Sequence, residues 1–180
     1  MQDLMNKSNK ISGLFLIVSS LSCVLWMGSY LLRMLLAYQL FDETLTTYKP
    51  YVNEQNIRGI LITINPSVIT TFVLFIVFLV FFILFLITTN ISLKQNGWLF
   101  IITILVLITV PFEIYLMTID YKIFIQVNSG VFQSSYVISL ILKRFKQLSS
   151  FPLIELLCYF AIVFLAIFKP LTHKNTVYEN

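Results

Sequence analysis

Residues 67–89 read SVITTFVLFIVFLVFFILFLITT. The stretch carries no charge, no glycine and no proline, and its only polar groups are the hydroxyls of Ser67, Thr70, Thr71, Thr88 and Thr89. A helix needs about 20 apolar residues to cross about 30 Å of hydrocarbon, and only there-self-satisfied backbones such as helices are stable without water. The side chains are apolar around the whole circumference, as expected of a helix in broad contact with lipid. A transmembrane helix is therefore predicted over 67–89. Asn65 suits its cap and Pro66 its first position, where no backbone N–H is needed.

Working outward, three further apolar runs appear. Residues 11–41 contain Arg33 as their only charge and exceed the length of one crossing, so the helix is predicted to tilt or to emerge near Arg33. Lys7 and Lys10 before this run resemble the start of a secretory leader. The run continues through Trp26, Tyr30 and Leu36, well past the roughly 7–15 apolar residues of a leader, so a retained first helix is expected. Downstream, Asn96-Gly97 reads as a turn and residues 98–119 as a helix with Trp98 at its interfacial end and Pro111 inside it. Residues 151–168, with Pro152 near their start and Lys169-Pro170 ending them, form the shortest run.

The expected fold is all-α and membrane-integral: one membrane domain over residues 1–180, built as a four-transmembrane-helix bundle. The connection 90–97 is tight, which makes helices two and three an antiparallel hairpin. The two long connections, 42–65 and 120–150, then share the opposite face. Within the second, residues 131–148 read as an amphipathic helix. Val137, Ile138, Ile141, Phe145 and Leu148 fall on one side, Ser139, Lys143, Lys146 and Gln147 on the other, and Arg144 at the edge. Such a helix either lies in the interface, with Lys143, Arg144 and Lys146 contacting lipid headgroups, or packs over the bundle.

Composition agrees. Of 180 residues, 58% are hydrophobic and 11% charged, against about 25% charged in soluble domains; the mean hydropathy is +0.90. A soluble core of this size has no room for so much apolar surface. The net charge of +4 does not indicate nucleic acid, because the basic residues are dispersed and flank apolar runs. Lys7, Lys10, Lys94, Lys169 and Lys174 fall on one face and Lys49, Arg58, Lys122, Lys143, Arg144 and Lys146 on the other, so the positive-inside rule selects no orientation. The expected location is an integral, multi-pass position in a membrane, taken as the plasma membrane of a prokaryote.

Three charges interrupt the apolar runs: Arg33, Glu113 and Glu155. Connectivity puts all three towards the face with the long connections. With helix three ending at 119, Glu113 would lie about 9 Å from that end at 1.5 Å per residue. A lone charge deep in a bilayer costs about 2.5–3.5 kcal/mol, and one guanidinium can bridge two carboxylates. A polar cluster of Arg33, Glu113 and Glu155 is thus expected, either fixing helix register or lining a path for an ion or polar solute. Ser22, Trp26 and Ser29 share the face of Arg33, Asp120 is aligned with Glu113, and Tyr159 with Glu155.

Other chemistries lack their residues. One histidine, His173, cannot supply a haem, copper or di-iron centre. Cys23 and Cys158 form no CxxC pair, Met27 and Met34 read as packing, and no GxSxG or phosphate-cradling glycine loop occurs. No cofactor, metal site or catalytic group is expected. The leading function is a non-enzymatic structural or assembly subunit, or scaffold, partnered by the bilayer and by a second copy or other membrane subunits, with no nucleic-acid partner. The alternative is a small oligomeric transporter or channel component using the Arg/Glu cluster. A third is a lipid-modifying enzyme working through Glu113, Asp120, Glu155 and the basic stretch 143–146.

Overall fold

A computed structural model of the chain describes residues 2–42, 49–147 and 151–171. Leu148, His173 and Lys174 lie outside the described residues, as do the side chains of Lys7, Phe145, Lys146 and Gln147. The regular structure is helical: α1 (Gln2–Tyr38), α2 (Ile57–Thr88), α3 (Gly97–Asn128), α4 (Ser134–Gln147) and α5 (Phe151–Phe168). No β-strand occurs among the described residues. Three helices, over Lys10–Leu36, Ile57–Thr88 and Gly97–Asn128, are long and apolar enough to cross a membrane; Leu153–Phe168 is a shorter apolar helix.

Several helix ends differ from the sequence expectation: α1 covers Gln2–Tyr38 rather than 11–41, and the start of α2 and the end of α3 lie outside the expected runs. α2 begins at Ile57, so Pro66 lies inside it rather than at its start. The start follows paired asparagines: Asn53 Oδ1 accepts the backbone N–H groups of Gln55 (3.0 Å) and Asn56 (2.9 Å), and Asn56 Oδ1 accepts that of Asn53 (2.9 Å). These bonds tie the turn 53–56 ahead of the helix, while Asn56 as N-cap makes no side-chain cap hydrogen bond. Proline is tolerated inside apolar helices. Around it, Ser67 Oγ donates to the Ile64 carbonyl (2.8 Å) and Thr70 Oγ1 to the Pro66 carbonyl (2.8 Å).

α3 runs on to Asn128, beyond the expected end at 119, and takes Asp120 into the helix. Leu116, Ile119, Asp120 and Val127 are buried, and Ile123 is packed beside the core; that spacing is helical. The end is held by Arg58 of α2, whose Nε donates to the Val127 carbonyl (3.2 Å) and Nη2 to the Ser129 carbonyl (2.8 Å). A cation at a helix C-terminus satisfies carbonyls that have no helical partner and opposes the dipole. α1 ends at Tyr38, α4 occupies Ser134–Gln147 within the expected 131–148, and α5 coincides with the expected 151–168.

The chain divides into two compact units. The first comprises Met1–Thr89 and Tyr115–Ser149, the second Asn90–Ile114 and Ser150–Asn180. In the first unit α1 and α2 pack antiparallel. Phe15 stacks near Phe81 (5.8 Å), Ser19 Oγ donates to the Phe78 carbonyl (3.4 Å), Trp26 meets Phe75 (5.3 Å), and the Ser29 and Thr71 hydroxyls are 2.9 Å apart. The buried residues Ser19, Cys23, Trp26, Tyr30 and Arg33 of α1 alternate steps of four and three, as do Thr71, Phe75, Phe78, Phe82 and Phe85 of α2. This is the seam periodicity of knobs-into-holes packing. In the same unit Val137 and Ile141 of α4 pack with Leu40, Phe41, Ile57, Leu61 and Val127.

In the second unit, the N-terminal part of α3 lies against α5. The Gly97 N–H donates to the Leu171 carbonyl (3.1 Å), the hydroxyls of Thr109 and Tyr159 are 3.3 Å apart, and the rings of Phe112 and Phe151 are 4.5 Å apart. These contacts set an antiparallel register. Trp98, expected at an interface, is buried with the Lys169 ammonium 5.6 Å from its ring.

Candidate functional site

The first unit holds a buried charge network. Arg33 Nη1 donates to Asp120 Oδ2 at 2.7 Å, and Arg144 Nε lies 2.7 Å from Asp120 Oδ1. One carboxylate therefore engages two guanidinium groups, one from α1 and one from α4, through separate oxygens. The Tyr30 ring stands beneath the Arg33 guanidinium at 5.4 Å, which adds a cation–π contact. All three charges are drawn inward: Arg33 and Asp120 are buried, and only 11% of the Arg144 side chain is exposed. Lys143, the preceding residue, is exposed.

Helix geometry explains this convergence. Arg33 continues the α1 seam below Tyr30, Asp120 shares the α3 face of Leu116 and Val127, and Arg144 lies one turn after Leu140 and Ile141 on α4. A long arginine can place its stem on apolar neighbours while its head reaches the carboxylate. The structure thus pairs Arg33 with Asp120, which the sequence reading had placed in a loop. It also turns Arg144, expected at the helix edge, into that network. The signal that would have identified Asp120 was the recurrence of Ile119, Ile123 and Val127 after it.

Glu113 and Glu155 belong to the second unit, and both are 0% exposed. Glu113 follows Thr109 by one helical turn, and Glu155 precedes Tyr159 by one. Since Thr109 and Tyr159 face each other, the antiparallel register sets the two carboxyl-bearing residues at the same level on the facing sides of α3 and α5. Glu113 also lies near the midpoint of α3, about 22 Å from Asn128 at 1.5 Å per residue. The sequence expectation counted from a helix end at 119, which α3 passes.

The first unit also contains a pocket of about 60 Å³, lined by Arg33, Asn65, Asp120 and Arg144 together with Leu40, Leu61, Ile64, Val68, Ile123, Phe124 and Ile141. An apolar groove of about 270 Å³ is lined by Val68, Ile69, Phe72, Val73, Ile76, Tyr121 and Phe124. Among the described residues, no group of three His, Cys, Asp or Glu side chains is arranged to hold a metal ion. Cys23 and Cys158 are free thiols, the first buried.

The surface of α2 is sorted by side-chain shape. Every exposed residue from 69 to 88 is β-branched: Ile69, Thr70, Val73, Ile76, Val80, Ile83 and Ile87. Every buried one over the same range, apart from Thr71, is phenylalanine. The exposed face of α1, by contrast, is rich in leucine: Leu14, Leu16, Leu21, Leu25, Leu32 and Leu35.

Comparison with known protein families, characterised proteins and solved structures finds no match to this chain.

Proposed function

We propose that this chain is a multi-pass integral membrane protein, crossing the bilayer with α1, α2, α3 and α5, that serves as a non-enzymatic structural or assembly subunit. α5 is about 27 Å long at 1.5 Å per residue, close to the roughly 30 Å of a hydrocarbon core. In this reading α4 lies at the interface, with Lys143 towards the headgroups and its apolar side on the helix ends.

The observation that carries the proposal is the β-branched stripe of α2. Helices in lipid associate through close van der Waals packing, because lipid chains are as apolar as the helix surface. β-Branched side chains hold few rotamers, so ordering them against a partner helix loses little entropy. The stripe repeats in steps of three and four, the seam spacing already used on the opposite side of α2 by α1. Its end beyond Ile76, formed by Val80, Ile83 and Ile87, is a second seam facing outward that fits a helix from a second copy or another membrane subunit.

The test is purification in lipid nanodiscs followed by native mass spectrometry, comparing the natural chain with a Val80→Phe/Ile83→Phe variant. The expected result is a stoichiometric complex for the natural chain and at least tenfold less of it for the variant, with an unchanged thermal midpoint of the protomer. A natural chain that is monomeric and partner-free would overturn the proposal. The paired burial of Glu113 and Glu155 favours a second reading, a small transporter or channel component. That reading predicts proton or cation flux in proteoliposomes that Glu113→Gln or Glu155→Gln abolishes and Val80→Phe/Ile83→Phe leaves in place.

A further inference from the structure

We propose that the Arg33–Asp120–Arg144 pocket and the groove beside it form one binding site for a single anionic phospholipid. The phosphate would occupy the pocket and an acyl chain the groove. The two cavities share two lining residues, Val68 and Phe124, so they adjoin within the first unit. Both have apolar walls, and the pocket adds a charged cluster that the groove lacks. From Leu61 to Val68 the lining includes three charged side chains and an amide; from Val68 to Ile76 it is aliphatic and aromatic, with Tyr121 as its only polar member. A ligand filling both must be polar at one end and hydrocarbon at the other.

Size and charge narrow the class. A water needs about 10–15 Å³ of such volume, so about 60 Å³ admits roughly four to six water-sized groups, which matches a phosphate with its four oxygens. The groove follows α2 from Val68 to Ile76, about 12 Å at 1.5 Å per residue, enough for a substantial part of an acyl chain. Among the lining residues Arg33 and Arg144 supply two positive charges and Asp120 one negative. Arginine presents a planar fork suited to phosphate oxygens, and Asn65 adds an amide donor. A zwitterionic headgroup would bring its own cation against the same two arginines, which an anionic headgroup does not.

This inference does not depend on the assembly role proposed above, since its readout is lipid retention rather than oligomeric state. The full-length chain is delipidated in detergent and titrated with phosphatidylglycerol, phosphatidylcholine or inorganic phosphate. Bound lipid is counted by native mass spectrometry and stabilisation is followed by thermal melting. The expected result is one phosphatidylglycerol retained per chain, at least tenfold tighter than phosphatidylcholine, with a raised thermal midpoint and no effect of inorganic phosphate. Val73→Trp, which fills the groove and leaves the charges in place, should weaken phosphatidylglycerol at least tenfold. Equal retention of the two lipids would overturn the proposal, as would equal stabilisation by inorganic phosphate or undiminished retention in a folded Val73→Trp protein. Should that variant fail to fold, the selectivity of the natural chain decides the matter.

Discussion

Asp120 shows how much one side chain can hold together. Its two oxygens engage guanidinium groups from α1 and α4 at 2.7 Å each, so its loss breaks two buried ion pairs at once. Removing one partner of a buried pair costs about 3–5 kcal/mol, whereas replacing the whole set with apolar residues of similar volume is often neutral. Asp120→Ala should therefore lower the thermal midpoint of the nanodisc-embedded protein by the equivalent of that loss. The combined Arg33→Met/Asp120→Leu/Arg144→Met protein should recover most of it, as followed by circular dichroism. A triple variant as unstable as Asp120→Ala would contradict this account. Arg33, Glu113 and Glu155 were legible because a charge inside an apolar run needs a reason. Asp120 was not, because it stands one residue past the helix end read at 119, in the connection 120–150.

Among the elements, α5 coincides with the run read from the sequence, whereas α1 and α2 start earlier and α3 ends later than expected. α5 ends where Lys169 takes a left-handed conformation (φ 44°) before Pro170, a stop visible in sequence. The turn ahead of α2 is tied by Asn53 and Asn56, and the end of α3 is capped by a residue far away in sequence, Arg58. Such a long-range cap leaves no local trace. It does make a prediction at this scale: Arg58→Met should release the end of α3, lowering hydrogen-exchange protection of the amides around residues 125–129. The loss expected is about 1.5–3 kcal/mol, the range of hydrogen bonds to a charged group. Arg58→Lys should restore only part of the protection, since an ammonium lacks the fork that reaches two carbonyls. Unchanged exchange in Arg58→Met would remove the cap from the explanation.

At the level of the molecule, composition alone established the class. A chain with 58% hydrophobic and 11% charged residues leaves few alternatives to lipid, and three long apolar helices follow directly from that. What composition could not supply was the rotation of each helix about its axis. In water an amphipathic stripe reveals the buried side, but residues 67–89 are apolar all round. In the folded protein, phenylalanine faces α1 and branched aliphatics face outward. The orientation of α2 is therefore written in outline rather than in affinity for water. A protein carrying Phe75→Ile, Phe82→Ile, Ile76→Phe and Ile83→Phe keeps the same amino-acid inventory and nearly the same hydropathy profile. It should enter membranes as efficiently as the natural chain, judged by alkaline extraction, yet lose cooperative thermal unfolding. The machinery that inserts such a helix weighs its greasiness; the neighbour that receives it feels its contours. Inherited variation in this chain can thus be silent to every scale of polarity and still erase the fold.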